Sequence, residues 1–194
     1  MGLRLTYPLG ATPLDPDEAE GLIPRHISTQ GQLNEWELQN ILEGQQWAFT
    51  RRPANLLTID FMQSLHKRMF GNTWHWAGTL RITEKSIGVA PEFISVRLRD
   101  LCDDIGAQQE YRSFPPREIA ARFHHRLVFI HPFPNGNGRF SRLMTDLLLE
   151  EFGELAGDKS VHAILLQHPL PVQIDSRAAF EALRVLCQAD QFCV

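Results

Sequence analysis

The residues with the clearest chemical potential lie in the stretch HPFPNGNGRFSR, which runs from His131 to Arg142. The imidazole of His131 titrates near neutral pH, so it can take a proton from a substrate hydroxyl. Gly136 and Gly138 can adopt positive φ and let a ligand approach the main chain closely. Arg139 and Arg142 stand three residues apart and project from nearly the same face of a helix. Together these residues predict proton transfer beside a bound anion.

A polyphosphate is the anion that this stretch suits best. Successive N–H groups in a glycine-containing turn can point into one concavity, and a helix that begins near Arg139 adds unpaired N–H donors and the positive end of its dipole. The chain has no G-x-x-x-x-G-K-[ST] phosphate loop. A histidine before a proline and a Gly-Asn-Gly turn also occur as purely structural features. Two arginines in the first turn of a helix oppose its dipole, however, and this favours an anion site.

Two strongly apolar helical patterns flank the stretch and must position it. The upstream pattern, entered through Pro115 and Pro116, places four apolar residues on one face: Ile119, Phe123, Leu127 and Ile130. The downstream pattern places five: Phe140, Leu143, Met144, Leu147 and Leu148. His131 is therefore expected at the end of one helix, facing the beginning of the next.

The remaining patterns predict a mostly α-helical chain of six or seven main helices. Thr58 is a candidate N-cap. Four stripes at helical spacing are Trp36, Asn40, Glu43 and Trp47; Ile59, Met62, Leu65 and Met69; Ile94, Leu98, Leu101 and Ile105; and Phe180, Leu183 and Leu186 after a cap at Asp175 or Ser176. Residues 1–32 are predicted to be an irregular arm on a helical domain of residues 33–194. Residues 71–91 predict a loop with a two-stranded hairpin, 80–83 and 86–89.

Composition excludes several classes of protein. The formal net charge of -4 argues against a broad nucleic-acid surface. The three cysteines have no metal-ligand spacing, and neither a signal sequence nor a membrane span is expected, so the predicted location is cytoplasmic. His124 and His125 are adjacent and point in different directions on a helix, which disfavours a zinc site with His131. The tryptophans fit a core better than a base-stacking surface.

The stretch also resembles the signature of the Fic family, H-x-F-x-[D/E]-G-N-G-R-x-x-R. The matching residues are His131, Phe133, Gly136, Asn137, Gly138, Arg139 and Arg142. The segment WHWAGTLR, residues 74–81, looks like the W-A-G-x-x-R segment that precedes the family's flap, so the core resemblance covers about residues 58–153. The segments GATPLDPDEAEGLIP and LNEWELQNI are similar to the subgroup called mobile mystery protein B.

This resemblance implies an all-α, Fic-type helical bundle with a short β-hairpin flap beside the active-site loop. It implies transfer of AMP from ATP, with Mg²⁺, to a Ser, Thr or Tyr hydroxyl of a protein. By position, His131 is the general base, and Phe133 anchors the loop. The implied binding roles are an anion hole for the α- and β-phosphates at Gly136, Asn137 and Gly138, the β-phosphate at Arg139, and the γ-phosphate at Arg142. The implied catalytic residues are His131, Asn137, Arg139 and Arg142.

The flap is expected to hold a target peptide by strand addition, which supplies main-chain bonds with little demand on sequence. The flap residues are Ile82, Thr83, Ser86, Ile87, Gly88 and Val89. Charged Glu84 and Lys85 also fit an ordinary exposed hairpin tip.

Two positions depart from the family pattern. Asn135 stands where the family carries an acidic magnesium ligand, and an amide oxygen brings no charge, so weaker Mg²⁺ binding, slower transfer or another phosphate-containing donor is expected. Many members also carry [S/T]-x-x-x-E-[G/N], whose glutamate blocks the signature's second arginine, here Arg142. QNILEG places Glu43 at that position but Gln39 at its Ser or Thr, and Glu35 and Glu37 are nearby competitors. An exposed helix glutamate is an equal alternative.

Three functions remain open from the sequence. The first is a Fic-type nucleotidyl transferase that acts on a protein hydroxyl. The second is a nucleotide- or partner-binding module that has lost catalysis at Asn135. The third is a regulatory partner in a bacterial, toxin-antitoxin-like two-gene cassette, with the arm engaging a small DNA-binding protein.

Overall fold

The fold is built from helices. The computed structural model describes residues 15–51 and 55–153, and these form no β-strand. The helices are α1 (Pro16–Ala19), α2 (Gln30–Arg51), α3 (Ile59–Phe70), α4 (Ile94–Glu110), α5 (Pro116–Ile130) and α6 (Asn137–Glu151). The all-α prediction is confirmed. The last predicted helix, with Phe180, Leu183 and Leu186, lies outside the described residues.

Local sequence signals set several helix ends. Thr58 caps α3, since its Oγ1 accepts a hydrogen bond from the N–H of Phe61 at 3.2 Å. Pro116 opens α5, where a missing N–H costs nothing. Helix α2 begins at Gln30, inside the segment that the sequence predicted to be an irregular arm. The predicted arm also contains α1. The sequence does not predict this helix because it has no long apolar period.

Three pairs of helices pack closely: α2 with α3, α4 with α5, and α5 with α6. Helix α2 lies against α3 so closely that a Cβ added at Gly44 would sit 3.0 Å from the Cα of Met69. Helix α5 packs between α4 and α6, and the apolar stripes predicted for these three helices are buried. The largest fully buried side chains are Trp74, Phe70, Phe123, Phe133, Phe140, Met62, Leu65, Met69, Ile94, Leu98, Leu101 and Ile105. None of the described helices is long and apolar enough to cross a membrane.

The stripe predicted for α2 is offset from the face that is buried. The buried residues are Leu33, Glu37, Asn40, Gly44 and Ala48. Trp36 remains 38% exposed and Glu43 is exposed. Polar residues occupy the inner face because they have partners there: Asn40 Oδ1 accepts hydrogen bonds from the N–H of Asn72 and the hydroxyl of Thr73, both at 3.1 Å.

The predicted hairpin at 80–89 is not formed. Its two ends bond to the end of α5 and the loop after it instead of to each other: the N–H of Arg81 donates to Pro132 O at 2.9 Å, and that of Val89 to Ile130 O at 3.4 Å. Residues 83–89 form an arch, and the side chain of Arg81 fills it. The flap residues Ile82, Thr83, Ser86, Ile87, Gly88 and Val89 therefore form an irregular segment beside the loop after α5.

Candidate active site

The predicted base, His131, sits at the corner where α5 ends. It is the left-handed C-cap of that helix, with φ of 53°, and its N–H donates to Leu127 O at 3.2 Å. The side chain is 5% exposed, and neither ring nitrogen has a hydrogen-bond partner among the described residues. Burial, and then the positive charge of Arg81, lower the pKa of His131 to about 4. The ring is thus neutral at neutral pH and can accept a proton.

The loop after His131 is held rigid from inside. The ring of Phe133 is fully buried and stacks on His66 with ring centroids 3.8 Å apart, which confirms its predicted anchoring role. The side chain of Asn137 bridges the same residue: Oδ1 accepts from Phe133 N at 2.8 Å, and Nδ2 donates to Phe133 O at 2.7 Å. Both polar atoms of the Asn137 amide are therefore used to shape the loop.

The two glycines of the loop have different structural roles. Gly136 has φ of 76°, and an added Cβ would meet the ring of Phe70 at 2.6 Å, so no other residue fits. Gly138 lies exposed in the first turn of α6, and the nearest atom to an added Cβ would be Nη1 of Arg142 at 3.8 Å. The protein itself leaves the space over Gly138 open, beside N–H groups that have no partner within the helix.

The two signature arginines have different surroundings. Arg139 turns back onto the protein: its Nη1 lies 2.6 Å from Glu37 Oε2, and its Cζ stands 4.8 Å from the ring centroid of Phe70. Arg142 is half-buried, and its Nε has no hydrogen-bond partner in the described part of the chain. Burial, and then the like charge of Arg139, lower the pKa of Arg142. Of the two guanidiniums, that of Arg142 is the less committed to internal contacts.

Asn135 is the residue that would hold a metal, and its oxygen is already hydrogen-bonded. Its Oδ1 accepts from the N–H of Gly136 at 2.6 Å and from Nη2 of Arg139 at 3.4 Å. The described residues contain no group of three His, Cys, Asp or Glu side chains placed to bind a metal. A neutral, engaged amide oxygen is a poor ligand for Mg²⁺, which prefers carboxylates and phosphate oxygens.

Glu43, the predicted inhibitory residue, does not pair with Arg142. It is exposed on α2 and accepts a hydrogen bond from Gln39 Nε2 at 3.2 Å. The carboxylate that pairs with a signature arginine is that of Glu37, one turn and a half earlier on the buried face of α2. The sequence offered Glu37 only as a nearby competitor of Glu43, because the predicted stripe of α2 does not include it.

His66 is another site residue that sequence reasoning missed, whereas Arg81 closes the W-A-G-x-x-R segment noted above without an assigned role. His66 Nδ1 accepts from the N–H of Gly78 at 3.0 Å, so its Nε2 carries the proton and donates to Asn135 O at 3.0 Å. Burial lowers the pKa of His66 to about 3, which keeps this form at neutral pH. The ring thus fixes the main chain of Asn135. A histidine in the middle of an apolar helical pattern was the only available signal.

His124 is part of the helix packing and has no partner suited to a metal site. Its Nδ1 lies 3.1 Å from the hydroxyl of Thr145, which itself donates to Ser141 O at 2.7 Å. Nδ1 of His124 must therefore be the donor to Thr145.

In the described part of the chain, the helices and the loop form a helical domain in which a neutral histidine lies close to the N-terminus of α6. Residues 56–149 match the Fic/DOC family, which supports the predicted family resemblance over this part of the chain. The similarity to the mobile mystery protein B subgroup stays a prediction.

Curated relatives and solved structures agree with the family. The chain is 35% identical over 102 residues to protein adenylyltransferase fic-1 of Caenorhabditis briggsae, which covers 50% of this chain and 20% of that protein. The chain thus spans about a fifth of that relative's length. A separate short similarity, 56% over 39 residues, is to the bifunctional protein FolD of Teredinibacter turnerae and covers 20% of this chain and 14% of that protein.

Two Bartonella effector structures share the fold. The N-terminal Fic domain of an effector from Bartonella sp. AR 15-3 has a TM-score of 0.61 at 15% identity, covering 90% of this chain and 94% of that one. The BepC protein of Bartonella tribocorum, solved with bound AMPPNP, has a TM-score of 0.56 at 20% identity, covering 71% and 80%. At these identities the likeness concerns the fold.

Proposed function

We propose that the chain is a Fic-type protein adenylyltransferase, which transfers AMP from ATP to a Ser, Thr or Tyr hydroxyl of a protein and releases pyrophosphate. One observation carries the proposal: the buried, neutral ring of His131, with both nitrogens unengaged, stands at the entrance to the loop that opens α6. The adenylyltransferase relatives support the same reaction. ATP is accordingly the proposed donor.

The reaction needs a base and a cradle for negative charge. His131 accepts the proton of the target hydroxyl as its oxygen bonds to the α-phosphorus, and the bond to pyrophosphate breaks. Arg142 and the first N–H groups of α6 balance the charge on the leaving group. Arg139 can join them only by leaving Glu37. The surroundings of Asn135 fit a resident Mg²⁺ poorly. The charge stabilisation is therefore assigned to Arg142, to the first N–H groups of α6 and, once it leaves Glu37, to Arg139.

Label transfer tests the proposal. Wild type, His131→Ala and the exposed-site control His75→Ala would be incubated with cell lysate and ATP labelled at the α- or the γ-phosphate. We expect a labelled protein band from the α-label only, lost in His131→Ala and retained in His75→Ala. Absence of α-label transfer by wild type, or transfer that survives His131→Ala, would contradict the proposal.

A nucleotide- or partner-binding module without catalysis is the second candidate. The pairing of Arg139 with Glu37 and the engaged amide of Asn135 favour it, because both withhold groups that would bind phosphates or a metal. Such a module would bind a non-hydrolysable ATP analogue in calorimetry while giving no label transfer. A small DNA-binding partner, proposed from the subgroup resemblance alone, would be tested by co-purification with the product of a neighbouring gene.

A further inference from the structure

Arg81 joins three segments of main chain at the centre of the site. It is 2% exposed, and its guanidinium donates only to carbonyl oxygens. Nε donates to His131 O at 2.6 Å, and Nη1 to Thr83 O at 2.8 Å. Nη2 donates to Val89 O and, at 3.4 Å, to Ile130 O. One side chain therefore ties both ends of the arch at 83–89 to the end of α5.

Only an arginine can make this set of bonds. Its planar guanidinium presents five donors in a rigid fork, whereas a lysine has a single ammonium at the end of a flexible stem. Two of the acceptors, Ile130 O and His131 O, belong to the C-terminal end of α5, where carbonyls lack helical partners and carry the negative end of the dipole. A buried cation there is stabilised in spite of its desolvation.

The arch also touches the base directly. Gly88 has φ of 113°, and an added Cβ would meet Arg81 Nη2 at 2.6 Å and the Cβ of His131 at 2.8 Å. His131 itself holds a left-handed conformation that a histidine rarely adopts. Its carbonyl direction is fixed by Arg81 Nε, and the next carbonyl, Pro132 O, by the N–H of Arg81.

We propose that Arg81 is a positioning residue that holds segment 82–89 in register with His131, so that a target hydroxyl carried on that segment meets the imidazole. This inference rests on the proposed function for its catalytic consequence only. Arg81 reaches no substrate atom itself, since its donors are spent on main-chain carbonyls. Its loss should therefore impair the step that depends on the target while leaving ATP binding intact.

Hydrogen exchange and kinetics on three variants test this. Arg81→Lys keeps the charge and loses the fork, Arg81→Met loses both, and Arg126→Lys is the control, because Arg126 pairs with Asp104 at the surface of α4 and α5. Loss of charge-assisted bonds predicts that protection of the Val89 N–H falls about tenfold or more in both Arg81 variants. Protection of the Phe140 N–H, which donates to Gly136 O within α6, should stay unchanged.

The kinetic part separates positioning from general damage. We expect kcat/KM for the protein target to fall about tenfold or more in both Arg81 variants, with the Kd of a non-hydrolysable ATP analogue within about twofold of wild type. An equal loss in ATP binding would overturn the proposal, and so would unchanged Val89 protection in either folded variant. Should Arg81→Met fail to fold, Arg81→Lys decides. If wild type transfers no AMP, the proposed function fails, while the exchange data still support or overturn the positioning role.

Discussion

The carboxylate of Glu37 lies 2.6 Å from Nη1 of Arg139, so the first arginine of the signature is paired within the fold. The other oxygen of Glu37 accepts a hydrogen bond from Trp74 Nε1 at 2.7 Å, and the carboxylate side chain is only 8% exposed. Since solvent screens such a pair weakly, a phosphate that approaches Arg139 must compete with a well-held carboxylate.

Glu37→Gln is therefore expected to raise the affinity for a non-hydrolysable ATP analogue by about tenfold, the effect of about 1.4 kcal/mol. The amide keeps an oxygen for Trp74 but removes the charge that holds Arg139. Isothermal titration calorimetry measures the change. Glu43→Gln is the matched control, because Glu43 is exposed and bonds only to Gln39 among the partners found for it. A larger gain in the Glu43 variant would return the inhibitory role to the residue that the sequence indicated.

Most of the helical frame could be predicted from sequence because it depends on apolar periodicity. The stripes of α4 to α6 are buried as predicted, as is that of α3 apart from half-buried Ile59, and Thr58 caps α3. The inner face of α2 could not be read in this way. Glu37 and Asn40 are buried because they have partners in the turn after α3 and on α6, and those partners are known only once the helices are packed.

The missed parts of the site have the same origin. The hairpin prediction gave the side chain of Arg81 no role, yet this side chain bonds to Thr83 O and Val89 O where a hairpin would need a ladder. His66 lies between the apolar residues of the α3 stripe and was assigned no role, yet it carries two main-chain bonds. Long-range hydrogen bonds leave no periodic signal, so residues that act through them stay hidden until the fold is known.

The two loop glycines should separate ligand binding from stability. Gly136→Ala is expected to destabilise the protein by about 2–4 kcal/mol, because it combines positive φ with a collision against Phe70. Gly138→Ala has room in the fold and should stabilise α6 by about 0.5–1 kcal/mol. If phosphates approach its main chain, the same change should weaken ATP-analogue binding at least severalfold. Urea unfolding and calorimetry on both variants test this, and unchanged affinity in Gly138→Ala would place the anion elsewhere.

Asn135→Asp is expected to raise Mg²⁺-dependent AMP transfer. A carboxylate is the hard, charged ligand that Mg²⁺ prefers, and the position stands beside the start of α6. Arg139 is its competitor, since Nη2 already lies 3.4 Å from the amide oxygen. Initial rates over a Mg²⁺ titration measure the effect, with Asn34→Asp on the exposed side of α2 as control. Identical Mg²⁺ dependence in wild type and Asn135→Asp would show that this position does not limit the reaction.

The buried histidines predict loss of stability in mild acid. Burial lowers the pKa of His66 to about 3, and those of His124 and His131 to about 4. The unfolded chain takes up these protons below about pH 6.5, whereas the folded chain does not. Their contribution is thus complete above about pH 6.5 and is lost progressively as pH falls toward 4, at about 1.4 kcal/mol per pH unit for each. Urea unfolding at pH 7, 6 and 5 measures it.

Asp146 acts in the opposite direction. Burial raises its pKa to about 7, with Arg142 opposing the shift, so the folded chain keeps this proton where the unfolded chain has released it. Its contribution is present below about pH 4 and is lost as pH rises toward 7. Asp146→Asn should therefore steepen the acid loss by about 1.4 kcal/mol per pH unit between pH 5 and 6. An unchanged slope would mean that this carboxyl is already ionised in the folded protein.

Lys85 binds α1 to the arch of residues 83–89, which lies beside His131. Its Nζ lies 2.8 Å from Asp15 Oδ2 and 2.6 Å from Glu18 Oε2, and its side chain is 3% exposed. The Lys85 ammonium lowers the pKa of Asp15. Glu18 O in turn accepts from Trp76 Nε1 at 2.9 Å, so the arm is attached at both ends of α1.

Lys85→Met is expected to release α1 from the arch at a cost of about 1–2 kcal/mol, because two neighbouring carboxylates lose the cation between them. Two amides that bond the arm to the domain report the release: Ile23 N–H to Thr73 O at 2.8 Å, and His75 N–H to Gly21 O at 2.9 Å. Their hydrogen-exchange protection should fall in Lys85→Met and hold in Lys67→Met, which changes an exposed lysine of α3. High salt should lower the same protection in wild type only slightly, because the side chains of Lys85 and Glu18 are largely buried, although that of Asp15 is 46% exposed. Protection that is lost equally in both variants would show that the ion pair does not hold the arm.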